Sequence, residues 1–333
     1  MTGLRPPLGQ GAALATWLRR ARSLSLPHAM IVEGSRGVGK STVIRWLAAA
    51  LLCPSDLDES EPCGACRTCV AVGADAHADL HLVDRAHDDA DRRDQKKSFY
   101  VIKIDQLRQV QERLARHAVS GRARVLVIAD ADCMEEPAQN ALLKTLEEPG
   151  EATFVLLEAT RPEKLLPTVR SRAQRLRVLP LSAAAIERQL QKSVGAEFDI
   201  ARAVAVADGS LGMALEAGTE RAVQLHDLVQ AMLVDTKSLR PVATARAVLA
   251  DCKDRHSEVE AAHAFLGLLR AELRVRRDRV AEAAGDSYPA ASAEPWTTWL
   301  ELALAAEQDL DSMIPPEQTL VACLLQFDRS GPR

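Results

Sequence analysis

A glycine-rich octapeptide constrains the fold of this 333-residue chain more than any other feature. It reads Gly-Ser-Arg-Gly-Val-Gly-Lys-Ser over residues 34–41 and matches the G-x-x-x-x-G-K-[ST] template in full. Its glycines allow backbone N–H groups to approach phosphate oxygens, while Lys40 offers a charge to the phosphates and Ser41 a hydroxyl to Mg²⁺. The pattern predicts a nucleotide-binding phosphate loop; a loop kept for its shape without nucleotide is the alternative.

The loop lies in a stretch where short apolar runs alternate with helical periods. Strands are predicted at 30–32, 80–83, 125–129, 154–157 and 176–179. Helices are predicted between them at 12–23, 42–52, 105–117 and 137–148. This alternation predicts an α/β domain with a mainly parallel sheet that is covered by helices on both faces.

From Pro180 onward, only helical periods are found. They cover residues 182–192, 198–207, 211–217, 221–234, 241–252, 256–281, 295–309 and 316–327. We therefore expect three domains: an α/β domain over residues 1–179, a small helical domain over 180–218 and a larger all-helical domain over 219–333. The low aromatic content of 3% agrees with a chain rich in helix.

Charge and hydropathy exclude several classes of protein. The net charge is −4, from 42 Lys and Arg against 46 Asp and Glu, whereas a self-sufficient nucleic-acid binder usually has a strong basic excess. No apolar run approaches the roughly 20 residues of a membrane helix, and the first residues lack the layout of a signal peptide. We expect a soluble cytoplasmic protein without a membrane partner.

Four of the seven cysteines crowd into one short insertion at about residues 53–69. Cys53, Cys63, Cys66 and Cys69 follow the spacing C-x9-C-x2-C-x2-C, which predicts a closed, tetrahedral and structural Zn²⁺ site. An iron–sulfur site and four unrelated thiols are the alternatives. His77, Asp79 and His81 could suggest a second metal site, but the entry to a strand with alternating faces explains them better.

The hydrolytic machinery looks incomplete. The strand at 125–129 ends in Asp130, where we expect an acid that holds Mg²⁺. Many ATPases of this architecture place a glutamate directly after that acid to orient the attacking water, but this chain has Ala131. We therefore expect nucleotide to bind and to be hydrolysed slowly or not at all.

Several sequence blocks share their order and spacing with one protein family. They include CGACRTC, HADLHLV, IKIDQLR, residues 128–174 with the core NALLKTLEEP, and the C-terminal MIPPEQTLVACLLQF. Together they resemble the clamp-loader branch of the AAA+ ATPases, and within it the delta-prime subunits of bacterial DNA polymerase III. The resemblance spans nearly the whole chain and implies a P-loop AAA+ domain, a helical lid and a helical collar.

The resemblance also assigns roles to single residues. The nucleotide set that it implies is Gly34, Gly37, Gly39, Lys40, Ser41, Thr42, Asp130 and Thr160, for ATP or ADP with Mg²⁺. Thr160 stands at the sensor-one position. Arg172 matches the arginine finger offered to the ATP of a neighbouring subunit, although its segment reads Ser-Arg-Ala where the family has Ser-Arg-Cys. A surface salt bridge is the alternative role for Arg172.

The partners implied are the gamma/tau and delta subunits in a hetero-pentamer, and through it the sliding clamp and primer–template DNA. The motor subunits gamma and tau would carry a glutamate at Ala131 and an arginine near Gly212, so these departures favour a delta-prime-like subunit over the alternative, an autonomous gamma/tau-like ATPase. A zinc-dependent DNA-binding module is the other competitor, but the chain has no basic strip with aromatic residues. A polymerase classification would belong to the holoenzyme alone.

Overall fold

The computed structural model of the protein describes residues 4, 6–55, 61–85, 101–114, 118–119, 122–195, 198–217, 219–235, 239–284, 290–310 and 314–330. The chain divides into two compact units, Met1–Ser182 and Ala183–Arg333. The first boundary therefore lies close to the predicted change at Pro180. The further division of the helical part into residues 180–218 and 219–333 stays a prediction.

The first unit contains a five-stranded parallel sheet. Its strands are β1 (Ala29–Glu33), β2 (Leu80–Val83), β3 (Arg124–Ile128), β4 (Thr153–Ala159) and β5 (Gln174–Arg177). They lie in the order β2-β3-β4-β1-β5, so β1 and β4 are neighbours at the centre. The five predicted strands are all present. The last is shifted by two residues toward the N-terminus, and β4 runs two residues beyond its predicted end.

Helices cover both faces of this sheet. They are α1 (Gly11–Arg22), α2 (Lys40–Leu52), α3 (Arg67–Gly73), α4 (Ile104–Leu114), α5 (Glu136–Glu147) and α6 (Pro167–Arg170). Alternate strand residues contribute to two separate cores, because successive side chains of a strand point to opposite faces. Val125, Val127 and Leu156 lie in the core of α1 and α2, whereas Leu126 and Leu157 lie in the core of α4 and α5. Of the helix predicted at 105–117, residues 115–117 lie outside the described part.

Among the described residues of the second unit, all regular secondary structure is helical. Its helices are α7 (Ala183–Ser193), α8 (Ile200–Val206), α9 (Leu211–Glu216), α10 (Glu220–Val234), α11 (Pro241–Leu249), α12 (Arg255–Ala284), α13 (Ala290–Leu310) and α14 (Pro316–Ser330). Trp299 of α13 stacks on Phe327 of α14 with ring centroids 4.5 Å apart, and both are fully buried. The predicted class, an α/β domain with a parallel sheet followed by helices, is confirmed. Across the described helices, none combines the length and apolarity needed to cross a membrane.

Candidate functional site

The predicted phosphate loop connects the end of β1 to the start of α2. Gly37 and Gly39 have φ values of 73° and 97°, in the left-handed region that favours glycine. At Gly34, an added Cβ would lie 2.7 Å from the carbonyl oxygen of Val178, so that position has no room for a side chain. The loop therefore needs these glycines, and it ends at the N-terminus of a 13-residue helix whose dipole favours anions.

Lys40, the first residue of α2, lies folded over this loop. Its Nζ donates hydrogen bonds to the carbonyl oxygen of Ser35 and to Oγ1 of Thr160, each at 3.0 Å. The same Nζ lies 4.0 Å from Oε1 of Glu158. Burial lowers the pKa of Lys40, and the carboxylates of Glu158, Asp130 and Asp132 oppose that shift. The structure thus brings together Lys40 and Thr160, which were predicted to share one site.

Three neighbouring strands end in one row beside α2. Val83, Ile128 and Leu157 are paired side by side on β2, β3 and β4. The residues that directly follow them, Asp84, Ala129 and Glu158, form the next row. All three line a cavity of about 100 Å³ together with Ser41 and Arg45 of α2. Burial raises the pKa of Glu158, and the charge of Lys40 opposes this rise. The space in front of the phosphate-loop serine is therefore flanked by two carboxylates, with an alanine between them.

Asp130 lies one residue beyond that row. Its Oδ2 accepts hydrogen bonds from Nε and an NH2 group of Arg85, at 2.9 and 2.8 Å. Its backbone is left-handed, with φ 49°, so the chain turns directly after β3. The next residue, Ala131, is fully buried in the apolar core of α4 and α5. The Mg²⁺ role predicted for Asp130 stays a prediction, and both contacts of Arg85 are made to one oxygen of this carboxylate.

Two buried polar side chains hold the segment that follows β4. Oδ1 and Oδ2 of Asp132 accept hydrogen bonds from the backbone N–H groups of Thr160 and Arg161, at 3.3 and 3.1 Å. The Gln139 side chain accepts from the backbone N–H of Leu166 at 2.7 Å and donates to the carbonyl oxygen of Lys164 at 3.3 Å. The segment is thereby fixed at both ends, from Thr160 to the start of α6.

Arg172 follows α6 on the surface of the first unit. An NH2 group of its guanidinium lies 2.6 Å from Oε1 of Glu147, and its NH1 donates to the carbonyl oxygen of Thr168 at 3.0 Å. The side chains of Arg172 and Glu147 are 37% and 53% exposed. The ion pair is the surface salt bridge that we considered for this residue, but its exposure also leaves the guanidinium accessible to another chain.

The four predicted cysteines form one cluster at the C-terminal end of α2. Their sulfur atoms lie within 4.8 Å of one another, with three Sγ–Sγ distances of 3.7, 3.8 and 3.9 Å. A tetrahedral Zn²⁺ with bonds of about 2.3 Å would require sulfur atoms about 3.8 Å apart. The cluster could therefore bind a metal ion, and its dimensions fit zinc.

Two arginine side chains bind backbone carbonyl oxygens beside the cluster. An NH1 group of Arg22 donates to the carbonyl oxygen of Cys53 at 2.8 Å, and Nε of Arg122 donates to that of Leu51 at 2.6 Å. Burial would raise the pKa of Cys53, but hydrogen bonds from Ser55 and Cys63 lower it to about 6. Among the described residues, His77, Asp79 and His81 form no such ligand group.

Three residues of the site were absent from the sequence-based set: Glu158, Asp84 and Arg85. Glu158 was detectable in principle, because it is a single carboxylate at the end of an otherwise apolar run, Phe154–Leu157. Arg85 was not, since its partner Asp130 lies 45 residues away in sequence.

A family match covers the first unit. The family described as DNA polymerase III, delta subunit, matches residues 9–182, just over half of the chain. Among individual proteins, DNA polymerase III subunit delta' of Bacillus subtilis is 34% identical over 50% of this chain and 46% of its own length. The Escherichia coli delta' subunit is 35% identical over 44% and 41%. The gamma/tau subunit of Mycobacterium bovis is 34% identical over 46% and 25%. The matches thus span less than half the length of these relatives.

Two solved structures from Thermotoga maritima are also similar. One is a gamma subunit-related protein of DNA polymerase III, with a TM-score of 0.49 and 17% identity over 95% of this chain and 99% of that one. The other is the RuvB Holliday junction branch migration motor, with a TM-score of 0.43 and 14% identity over 74% and 78%. These similarities are too weak to carry an argument about function.

Proposed function

The chain belongs to the DNA polymerase III, delta subunit family, and from this premise we propose that it is a delta-prime-like subunit of a clamp loader. In this role it binds ATP or ADP with Mg²⁺, hydrolyses it poorly, and offers Arg172 to a nucleotide held by a neighbouring subunit. Its proposed partners are gamma/tau and delta subunits in a hetero-pentamer, and through it the sliding clamp and primed DNA during cytoplasmic replication.

One observation carries the nucleotide part of this proposal. A complete phosphate loop places Lys40 against Thr160, while both residues that flank Asp130 at the end of β3 are alanines. Ala129 lines the same cavity as Ser41, and Ala131 is buried in the opposite core. A methyl group can neither bind a cation nor polarise water, so the geometry favours binding without rapid turnover.

The residues of the chain perform separate tasks at this site. The N–H groups of the loop and of the first turn of α2 bind phosphate oxygens, and the positive end of the helix adds to the attraction. Lys40 exchanges its hydrogen bonds to the uncharged oxygens of Ser35 and Thr160 for hydrogen bonds to phosphate oxygens. Its buried ammonium group thereby gains charged partners, which form stronger hydrogen bonds. The Ser41 hydroxyl would hold Mg²⁺, which would supply positive charge to the phosphates.

The rest of the chain serves assembly in this proposal. The cysteine cluster holds Zn²⁺ as a structural ion, because four thiolates leave no open position for chemistry. Residues 180–218 form a lid and the helices of residues 219–333 form the collar that contacts the other subunits. The negative net charge of −4 agrees with a subunit held by protein contacts rather than by DNA phosphates.

The isolated chain tests this function directly. We expect it to bind a fluorescent ATP analogue in Mg²⁺ buffer and to hydrolyse ATP more slowly than about 1 s⁻¹, the lower end of ordinary enzyme turnover. Lys40→Ala should weaken binding at least about tenfold, since a charge-assisted contact of some 1.5–3 kcal/mol is lost. Fluorescence titration and a single-turnover phosphate assay give the two quantities.

The matched control is Lys164→Ala, which removes an exposed lysine of the same unit and should leave the affinity unchanged. Hydrolysis at tens per second by the wild-type chain, lost in Lys40→Ala, would support an autonomous gamma/tau-like motor instead.

A further inference from the structure

The position that faces the phosphate-loop serine on β3 carries no carboxylate. Val125, Val127 and then Ala129 lie on the α2 side of that strand, and Ala129 lines the cavity together with Ser41. Phosphate-loop proteins commonly hold Mg²⁺ between the loop hydroxyl and an acid from a neighbouring strand. In this chain, such an acid must come from another strand.

Glu158 occupies the adjacent place on β4. It pairs with Val32 of β1 and lies in the same row as Ala129, so its strand runs between β3 and the strand that leads into the loop. Neighbouring strands are about 4.8 Å apart, a distance that a glutamate side chain spans easily. Its side chain is only 15% exposed and lines the cavity beside Ser41.

The charges around Glu158 indicate that its carboxylate would lack a cationic partner once phosphate binds. Lys40, at 4.0 Å, is its cationic neighbour, whereas Arg45 in the same cavity is bound by both carboxylate oxygens of Asp75, at 2.9 and 2.7 Å. A polyphosphate in the loop would draw on Lys40. The largely buried carboxylate would then face phosphate oxygens, an arrangement that is unfavourable unless a cation lies between them.

Mg²⁺ meets that requirement, since it is bound by one or two carboxylates together with substrate phosphates and water. We propose that Glu158, with Ser41, is the Mg²⁺-binding acid of this site, so that the chain binds the Mg²⁺ complex of a nucleotide and discriminates against the free nucleotide. This inference rests on the proposed nucleotide binding. It transfers to β4 the role expected for Asp130, which lies one residue beyond the row of strand residues that lines the cavity.

The test compares ATP affinity in Mg²⁺ with affinity in EDTA for the full chain and two variants. The wild type should bind at least about tenfold more tightly in Mg²⁺, the change given by one contact of about 1.4 kcal/mol. In Glu158→Gln, which keeps the size of the side chain, this ratio should fall to about one, because affinity drops in Mg²⁺ and rises in EDTA. Asp130→Asn is the second variant and tests the competing acid; if Glu158 holds the metal, this variant should keep the wild-type ratio.

A second measurement reports the metal itself. Mn²⁺ titrated in the presence of ADP and followed by electron paramagnetic resonance should bind stoichiometrically to the wild type and weakly to Glu158→Gln. If Glu158→Gln keeps the wild-type ratio, or if Asp130→Asn loses it, this inference is overturned while the proposed function stands. If the wild type binds ATP in neither buffer, the proposed nucleotide binding fails as well.

Discussion

Replacing Arg172 with alanine in a reconstituted loader is expected to slow ATP hydrolysis at the adjoining subunit by about 10³-fold or more. A guanidinium is permanently charged and directs two donors at phosphoryl oxygens, so alanine removes both the charge and the geometry. Rapid-quench measurements should show that one hydrolytic phase of the assembly disappears, and fluorescence assays should show that clamp loading on primed DNA nearly stops.

The contacts of Arg172 in the free chain permit this role. Its ion pair with Glu147 is exposed, and such pairs contribute about 0–1 kcal/mol. A 10³-fold rate effect corresponds to about 4 kcal/mol of transition-state stabilisation. The guanidinium can therefore leave Glu147 at small cost when a neighbouring nucleotide becomes available.

Arg175→Ala is the matched control for that experiment. Arg175 is also exposed and paired, with its Nε 2.7 Å from Oε2 of Glu33, and it lies three residues further on, in the edge strand β5. We expect its replacement to leave both hydrolysis and loading within about twofold, because its guanidinium is already engaged by a carboxylate of its own chain. Unchanged kinetics in Arg172→Ala, measured with the assembly intact, would contradict the role of Arg172 in trans.

Removal of the Zn²⁺ that we propose for the cysteine cluster is expected to unfold the insertion and leave nucleotide binding intact. Apparent binding energies for structural zinc reach about 10–16 kcal/mol in small domains, and the seven-residue α3 is too short to persist alone. Lys40 and Cys53 lie at opposite ends of α2, about 20 Å apart along the helix. Arg22 and Arg122 donate hydrogen bonds to the carbonyl oxygens of Ala50 and Leu51 in the last turn of α2, and these contacts do not involve the cysteine sulfur atoms.

The measurement is elemental analysis combined with thermal unfolding. The purified chain should hold one zinc ion, and chelation or Cys63→Ser should lower the melting temperature by about 2–4 °C for each kcal/mol lost. Cys252→Ser, outside the cluster, is the control and should keep the ion. A chain without zinc whose four thiols react freely and whose stability is unaffected by chelators would contradict the site; an iron chromophore would indicate the iron–sulfur alternative.

Local patterns predicted most of the fold because the information lies within single elements. The run at 125–129 and the helix at 137–148 are both found within two residues of their expected bounds, since buried strands are apolar and a proline in the first turn marks a helix start. The position predicted for β5, by contrast, was two residues away from the observed strand, Gln174–Arg177. It is an edge strand with exposed arginines, so its apolar signal is weak.

The residues of the site were likewise predictable only where they are contiguous in sequence. The phosphate loop and the cysteine cluster are each contiguous in sequence, and their residue types alone indicate their chemistry. Glu158, Ala129 and Asp84 become one row only when the register of three strands is known. Pairs such as Arg172 with Glu147 depend on the packing of separate segments, which one sequence does not contain.

The hydrogen bonds of Asp132 and Gln139 have a mechanical consequence for the surface that carries Arg172. Buried side chains bind the backbone at Thr160, Arg161 and Leu166, so the connection from β4 to α6 is held by hydrogen bonds near both of its ends. One braced stretch of backbone thus joins Thr160, which contacts Lys40, to the short helix that precedes Arg172.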